Sequence, residues 1–306
     1  MTQTEHKTTG DSLAARRLAV ATQLPRPLGR WEPVALAAEG AWSRVYRARP
    51  LGARGDRAAA YALKTPRPEC QGDARAAALL AREAAAGQGI SHPHLIPVLE
   101  ANLRHTPPFL VMPWLDGSTL QASLAAGALI DLPEALWIVR QVAEALAALD
   151  AGGWVHGDVK PGNIFLSPRR HVTLLDLGFA RRRGESGTAP DRCVLGTGHY
   201  LAPECITAAA AADIRSDLYS LGAVLFQLLA DRLPLEGRSL AELAAQHRQA
   251  APPSLSKLAP HLPREVAALV RRLLAKDPLR RVQTPAELLG RLVPLEIATF
   301  SERALA

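Results

Sequence analysis

Apolar positions change period along this chain. From Trp31 to Thr65 they come in short runs broken by turn residues. This pattern predicts a strand from Trp31, a turn at Glu39-Gly40-Ala41, a strand through Ser43–Arg49, a loop holding Gly52 and Gly55, and a strand at Ala59–Thr65. Phe109–Leu115 and Val172–Leu175 are apolar runs that read as buried strands. Elsewhere the pattern is helical. Ala74–Ala86 is rich in alanine, a strong helix former. Leu132–Ala151 carries Leu136, Ile138, Val139, Val142, Leu146 and Leu149 at helical spacing, with Pro133 suited to a first turn. Further helices are expected at Leu240–His247, Arg264–Ala275 and Pro285–Leu292. Residues 1–30 read as a flexible arm and residues from Leu295 as a tail, with no internal repeat.

At 306 residues, 48% of them hydrophobic, the chain can bury substantial cores and is not a disordered protein. No apolar run approaches the roughly 20 residues of a membrane helix. Leu218–Ala230 comes nearest and is interrupted by Gln227. MTQTEHKTTGDS lacks the apolar core of a signal peptide. Cys70, Cys193 and Cys205 have no metal-ligand spacing, and their odd number argues against a disulfide framework. Membrane insertion is therefore not expected, and a reducing cytoplasm is the expected location. The net charge of +7 is spread along the chain with few interleaved aromatics, so no nucleic-acid partner is expected.

The chemistry concentrates in Val155–Leu166, VHGDVKPGNIFL, and in LLDLG at Leu174–Gly178. Asp158, Lys160 and Asn163 are interrupted by Pro161 and Gly162, so they belong to a loop. One carboxylate can accept a proton from a hydroxyl, while Asp176 and the Asn163 amide oxygen can hold a hard cation. The Lys160 ammonium can neutralise a transferring phosphoryl group. By itself Asp-Val-Lys-Pro-Gly-Asn could equally be a surface turn.

The rest of the chain bears on that choice. Asp158 to Asn163 is five residues and Asn163 to Asp176 thirteen, and this grouping resembles the catalytic loop and metal-binding element of protein kinases. Tyr61-Ala62-Leu63-Lys64 resembles the kinase V-A-I-K strand, and Ser91–Ile96 resembles the H-P-N-I segment. Gly196–Glu204 resembles the G-T-x-x-Y-x-A-P-E ending of the serine/threonine activation segment, and Arg215–Gly222 the start of the core helix. The likeness runs from about Trp31 to Leu292. It implies an α+β, bilobal protein-kinase-like fold: a kinase domain over 31–294, with a β-rich N-lobe (31–114) and an α-helical C-lobe (115–294).

The resemblance also implies roles. Asp158 and Lys160 would be catalytic, and Asn163 and Asp176 would hold Mg²⁺ or Mn²⁺. ATP would be bound by Ala38, Gly40, Ser43, Val45, Ala62, Lys64, Glu83, Met112, Pro113, Leu115 and Phe165, with Glu83 pairing Lys64. Thr197 would shape the groove for a protein substrate, and Ser186 and Thr188 are candidate autophosphorylation sites. Glu204 would pair with Arg281, and Asp217 would cap the catalytic-loop backbone. Three departures stand out. Only the middle glycine of the phosphate loop is present, as Gly40. Gly157 replaces the arginine that usually binds a phosphorylated activation-loop residue, so that form of switching is not expected. Gly87, one turn beyond Glu83, lacks the apolar side chain that would lock its helix, which is therefore expected to be mobile. The implied activity is a serine/threonine protein kinase acting in bacterial signalling, with protein substrates and a cognate phosphatase or regulatory partner. A pseudokinase scaffold is the alternative. A small-molecule phosphotransferase ranks last, because it typically lacks the Thr197–Glu204 ending.

Overall fold

Arg44, Tyr46 and Ala48 are buried and alternate with half-exposed residues along Ser43–Pro50, the period of two that a strand with one covered face requires. The computed structural model describes residues 24–185, 198–207, 212–237 and 239–300, and in it this strand is β2 of an antiparallel sheet. The other strands are β1 (Trp31–Glu39), β3 (Tyr61–Pro66), β4 (Glu100–Asn102) and β5 (Phe109–Pro113), in the order β1-β2-β3-β5-β4. The chain divides into two compact units: Met1–Leu80 with Leu99–Trp114, and Ala81–Val98 with Leu115–Ala306.

The first unit is built on this sheet. Leu28, Trp31, Tyr46, Ala48, Leu63, Phe109 and Val111 form its core. The fold starts earlier than the expected arm boundary at residue 30. Leu28 is buried, and Arg30 and the Trp31 indole both donate to Glu100, at 2.7 and 3.1 Å.

α1 (Ala74–Gly89) runs through the division between the units. The second unit continues with α2 (Leu120–Ala125), α3 (Leu132–Ala151), α4 (Pro203–Thr207), α5 (Ile214–Ala230), α6 (Leu240–Gln249), α7 (Leu255–Leu258), α8 (Arg264–Leu273) and α9 (Pro285–Thr299). Two small sheets complete it. One is β6 (Ser118–Thr119), β8 (Ile164–Leu166) and β9 (Val172–Leu174), and the other pairs β7 (Trp154–Val155) with β10 (Arg181–Arg182). The Asp131 side chain caps α3, accepting from the Glu134 N–H at 2.8 Å, and Pro133 fits the first turn because its missing N–H would have no helical partner. α5 is buried on every side from Ser216 to Phe226, as a helix at the centre of a core must be. No described helix is long and apolar enough to cross a membrane. The expected tail is partly helix, since α9 continues to Thr299 and Arg140 of α3 donates to Glu296 at 2.8 Å.

Residues 81–98 belong to the second unit rather than to the expected N-lobe. The reason is local. His94 Nδ1 bonds to Val172 O at 2.8 Å, the Ile96 N–H donates to Leu174 O at 3.1 Å, and the Val98 N–H donates to Gly87 O at 3.2 Å. This corrects the reading of Gly87. A Cβ there would lie 2.5 Å from Val98 Cγ2. The missing side chain is not a gap in the packing but the condition for the chain to return against α1.

A buried ion pair joins the end of the second unit to its middle. Arg281, 0% exposed, donates to both Glu204 oxygens at 2.7 Å, and its remaining N–H groups reach the carbonyls of Ala275, Arg215 and Lys276. Every guanidinium donor is used, which is the condition under which such a charge is tolerated in a core. Burial would raise the Glu204 carboxyl, but Arg281 holds it below its ordinary value. This is the pairing expected from the sequence. Nearby, the Tyr219 hydroxyl lies 3.3 Å from His247 Nδ1. Burial, with the Lys276 ammonium, pushes the His247 imidazole down to about 4.

Two predictions follow from this packing. Gly87→Leu should lower stability by about 1–3 kcal/mol, because the side chain collides with Val98. A raised thermal midpoint would restore the reading of Gly87 as a gap. For His247 the unfolded chain binds the proton more readily than the folded one between about pH 6.5 and 4. Its contribution is therefore complete above pH 6.5 and is lost as the pH falls toward 4. Urea unfolding at pH 7, 5.5 and 4.5 should show a shallower decline in His247→Leu than in the parent, by up to about 1.4 kcal/mol per pH unit.

Candidate active site

The chain leaves β7 into a loop held from both sides. Asp217, in the first turn of α5, accepts the backbone N–H of His156 at 2.6 Å and that of Gly157 at 2.8 Å. This is the cap expected from the sequence. His156, fully buried, accepts the Asp158 N–H on Nδ1 at 3.2 Å, and its Nε2 lies 3.0 Å from Leu175 O. Burial holds this imidazole down at about 4, so it is neutral, with Nε2 carrying the proton. Between the two anchors Gly157 takes φ +78°, a left-handed conformation that residues with a Cβ adopt at a cost.

This hold aims Asp158 inward. One carboxylate oxygen, Oδ2, sits 2.7 Å from Lys160 Nζ and accepts the Asn163 amide at 2.9 Å. The other, Oδ1, is buried and takes no hydrogen bond. Burial pushes the carboxyl up to about 6, against the pull of Lys160. A carboxylate with one oxygen anchored and the other unsatisfied is an acceptor set for a proton.

Asn163 spends its amide nitrogen on Asp158, bonding the backbone O at 2.8 Å as well as Oδ2. Its side-chain oxygen is thereby left as the atom able to ligate a cation. The Leu175 N–H donates to Asn163 O at 2.8 Å, so Asp176 follows directly after the residue facing Asn163. Asp176 itself has φ +61°, a strained conformation for a residue with a side chain, and its Oδ1 accepts the Gly178 N–H at 3.2 Å. Among the described residues no group of three or more His, Cys, Asp or Glu side chains could hold an ion by itself. One carboxylate and one amide oxygen are hard donors that could hold a divalent cation which keeps waters as its other ligands.

In the first unit, strand register gathers another set. Ala38 pairs with Val45, Val45 with Lys64, and Ala62 with Met112. Paired residues, and residues two apart on one strand, share a face, so these five lie together on one side of the sheet. Pro113 is one position further and belongs to the opposite face. Gly40 and Ser43 form the β1–β2 turn, where the Gly40 N–H donates to Ser43 O at 2.8 Å. No residue of this turn has a positive φ, which is why Ala38 and Ser43 can stand where the resemblance expects glycine. In the second unit, Glu83 is buried on α1, Leu115 is half-buried, and Phe165 of β8 pairs with Thr119 and Thr173. Thr197, Ser186 and Thr188 lie outside the described residues. The sequence reading gave His156 no task, and the structure makes it the second anchor of the Asp158 loop.

Residues 35–291 match the family described as the protein kinase domain. The chain is 32% identical over 207 residues to the serine/threonine-protein kinase PrkC of Bacillus subtilis, covering 68% of this chain and 32% of that protein. It is 34% identical over 274 residues to the probable serine/threonine-protein kinase SCO3848 of Streptomyces coelicolor, covering 86% and 40%. It is 32% identical over 270 residues to the serine/threonine-protein kinase PknB of Mycobacterium tuberculosis, covering 86% and 42%. The chain thus spans well under half the length of these relatives.

Asp217→Ala should strand the His156 and Gly157 N–H groups in the core and lower unfolding free energy in urea by about 2–4 kcal/mol. Asp217→Asn should recover less than half of that, because its amide turns a donor toward one of them. An unchanged midpoint in both variants would show that the cap is dispensable.

Proposed function

This chain belongs to the protein kinase domain family, and we propose that it transfers the γ-phosphoryl group of ATP to serine and threonine hydroxyls of proteins. The observation that carries this is Asp158, with one oxygen fixed by Lys160 and Asn163 and the other buried without a partner. The substrate hydroxyl would approach that second oxygen. As its oxygen bonds to the γ-phosphorus, the bond to the β–γ bridging oxygen breaks, ADP leaves, and the hydroxyl proton passes to Asp158. Lys160 stabilises the charge on the transferring group.

Asn163 and Asp176 would hold Mg²⁺ or Mn²⁺, which when bound neutralises charge on the phosphates. Lys64, with Glu83 fixing its direction, would hold the α- and β-phosphates. Ala38, Val45, Ala62 and Met112 would line the base and sugar from their common face. Gly40 and Ser43 would cover the phosphates, Pro113 and Leu115 would meet the adenine edge with backbone groups, and Phe165 would complete the site. A Cβ on Gly40 would make only an ordinary contact, 3.6 Å from Ser43 O, so a glycine there is better explained by the approach of a ligand than by the fold. Lysine followed by proline after Asp158 favours serine and threonine as acceptors. The kinase domain, expected from the sequence at 31–294, would take in Leu28 at its start and the helix to Thr299 at its end, with Thr197 shaping the protein-substrate groove and autophosphorylation at Ser186 and Thr188. A cytoplasmic location and a cognate phosphatase or regulatory partner belong to the same proposal.

The test is transfer of labelled γ-phosphate with Mg²⁺ or Mn²⁺ to the chain itself and to a generic basic protein. Asp158→Ala should reduce the rate by about a hundredfold to ten-thousandfold, and Lys64→Ala should also reduce it strongly. Label in Asp158→Ala equal to the parent's would sink the mechanism. Clear stabilisation by ATP without any transfer would favour the scaffold.

A further inference from the structure

Hairpin turns over phosphates ordinarily owe their shape to glycine, and this one is held by side chains instead. Glu39 and Arg44 face each other across β1 and β2, with Arg44 Nε donating to Glu39 Oε2 at 2.5 Å. Arg44 is 5% exposed, and that carboxylate offsets the cost of burying its charge. The other Glu39 oxygen lies 3.5 Å from Arg67 Nη2. Arg67 follows the last residue of β3, and its Nη1 donates to Gly40 O at 3.4 Å. Its backbone N–H donates to Trp42 O at 3.0 Å, one rung beyond the Ser43–Pro66 pair, where Pro66 has no N–H to offer. Arg67 is further oriented by Glu69, 3.3 Å from its Nε.

From this geometry we propose that Arg67 is a positioning residue for ATP, acting with Glu39 as a brace that fixes the turn from Glu39 to Ser43. The proposal rests on the kinase reading for its ligand but not for the brace itself. Arg67 reaches the turn at three successive levels: the Glu39 carboxylate, the Gly40 carbonyl and the Trp42 carbonyl. Arg44 anchors Glu39 from the buried side. Arg75 of α1 stacks 6.0 Å from the Trp42 ring centre and adds a lateral contact. The Gly40 N–H is spent on Ser43 O, so the brace would present the amides that follow it in the turn, from Ala41 onward, to a phosphate. In the glycine-rich version of such a turn, backbone freedom permits the approach of phosphate. Here a fixed turn replaces a pliable one, and the ordering is complete before nucleotide arrives.

Hydrogen exchange on the full chain without nucleotide tests the brace, and titration with Mg·ATP tests its consequence. In Arg67→Ala, amides of residues 40–43 should exchange about threefold to tenfold faster, while β3 and β5 keep the parent's protection. Binding of Mg·ATP, and the KM for ATP, should weaken by a similar factor with kcat changed less than about twofold, since ground state and transition state lose the same positioning. Arg67→Lys should recover part of the effect, keeping the charge without the fork. Glu39→Gln should mimic Arg67→Ala, and the double variant should be no worse than either single one. Unchanged exchange in both single variants overturns the brace, and faster exchange with unchanged ATP affinity overturns its positioning role. Failure of the parent itself to bind ATP would overturn the kinase reading and with it that role, while the exchange comparison would still decide whether the brace exists.

Discussion

The first turn of α5 is the constraint on which most of the second unit depends. Within Arg215–Tyr219 four of the five residues reach four different parts of the chain. The Arg215 carbonyl receives Arg281, the Ser216 hydroxyl donates to Glu204, Asp217 holds the His156–Gly157 backbone, and the Tyr219 ring lies under Arg281 and beside His247. None of these partners is near it in sequence. A helix buried on every side cannot adjust by moving into solvent, so the positions of its polar groups are fixed by packing. The Asp158 loop inherits that rigidity through two hydrogen bonds.

Rigidity explains the electrostatics of the loop. A carboxylate free to move would turn both oxygens toward partners or water. Asp158 is kept from doing so by Lys160 and Asn163 on one oxygen and by burial around the other, and its affinity for a proton rises accordingly. Lys160 limits that rise, so the group is more basic than an exposed aspartate and still ionises near neutrality.

Much of this was legible in the sequence. The resemblance, through spacings of five and thirteen residues, singled out Asp158, Asn163 and Asp176, and the structure sets the chain at Leu175 against Asn163, next to Asp176. The Glu204–Arg281 and Asp217 contacts were legible for the same reason. What was not legible depends on three-dimensional approach. Gly87 looks like a missing contact until Val98 is seen against it, and no one-dimensional pattern records which segment returns to which helix face. Arg67 carries no motif, and its relation to Gly40 exists only because β3 ends beside the β1–β2 turn. His156 could be read as a letter of a motif but not as a neutral, doubly bonded anchor. Helix ends were imprecise where packing overrides local signals: α9 passes Pro294, nominally a breaker, and runs on to Thr299, with Glu296 held by Arg140.

Gly157 carries a consequence for how such a chain can change over generations. Its φ of +78° is imposed by the two N–H groups that Asp217 gathers, so any residue with a Cβ placed there would be held in a conformation costing about 1 kcal/mol or more. A side chain introduced here would have to accept that strain before it could add any interaction. The shape of the loop and the identity of residue 157 are thus fixed together.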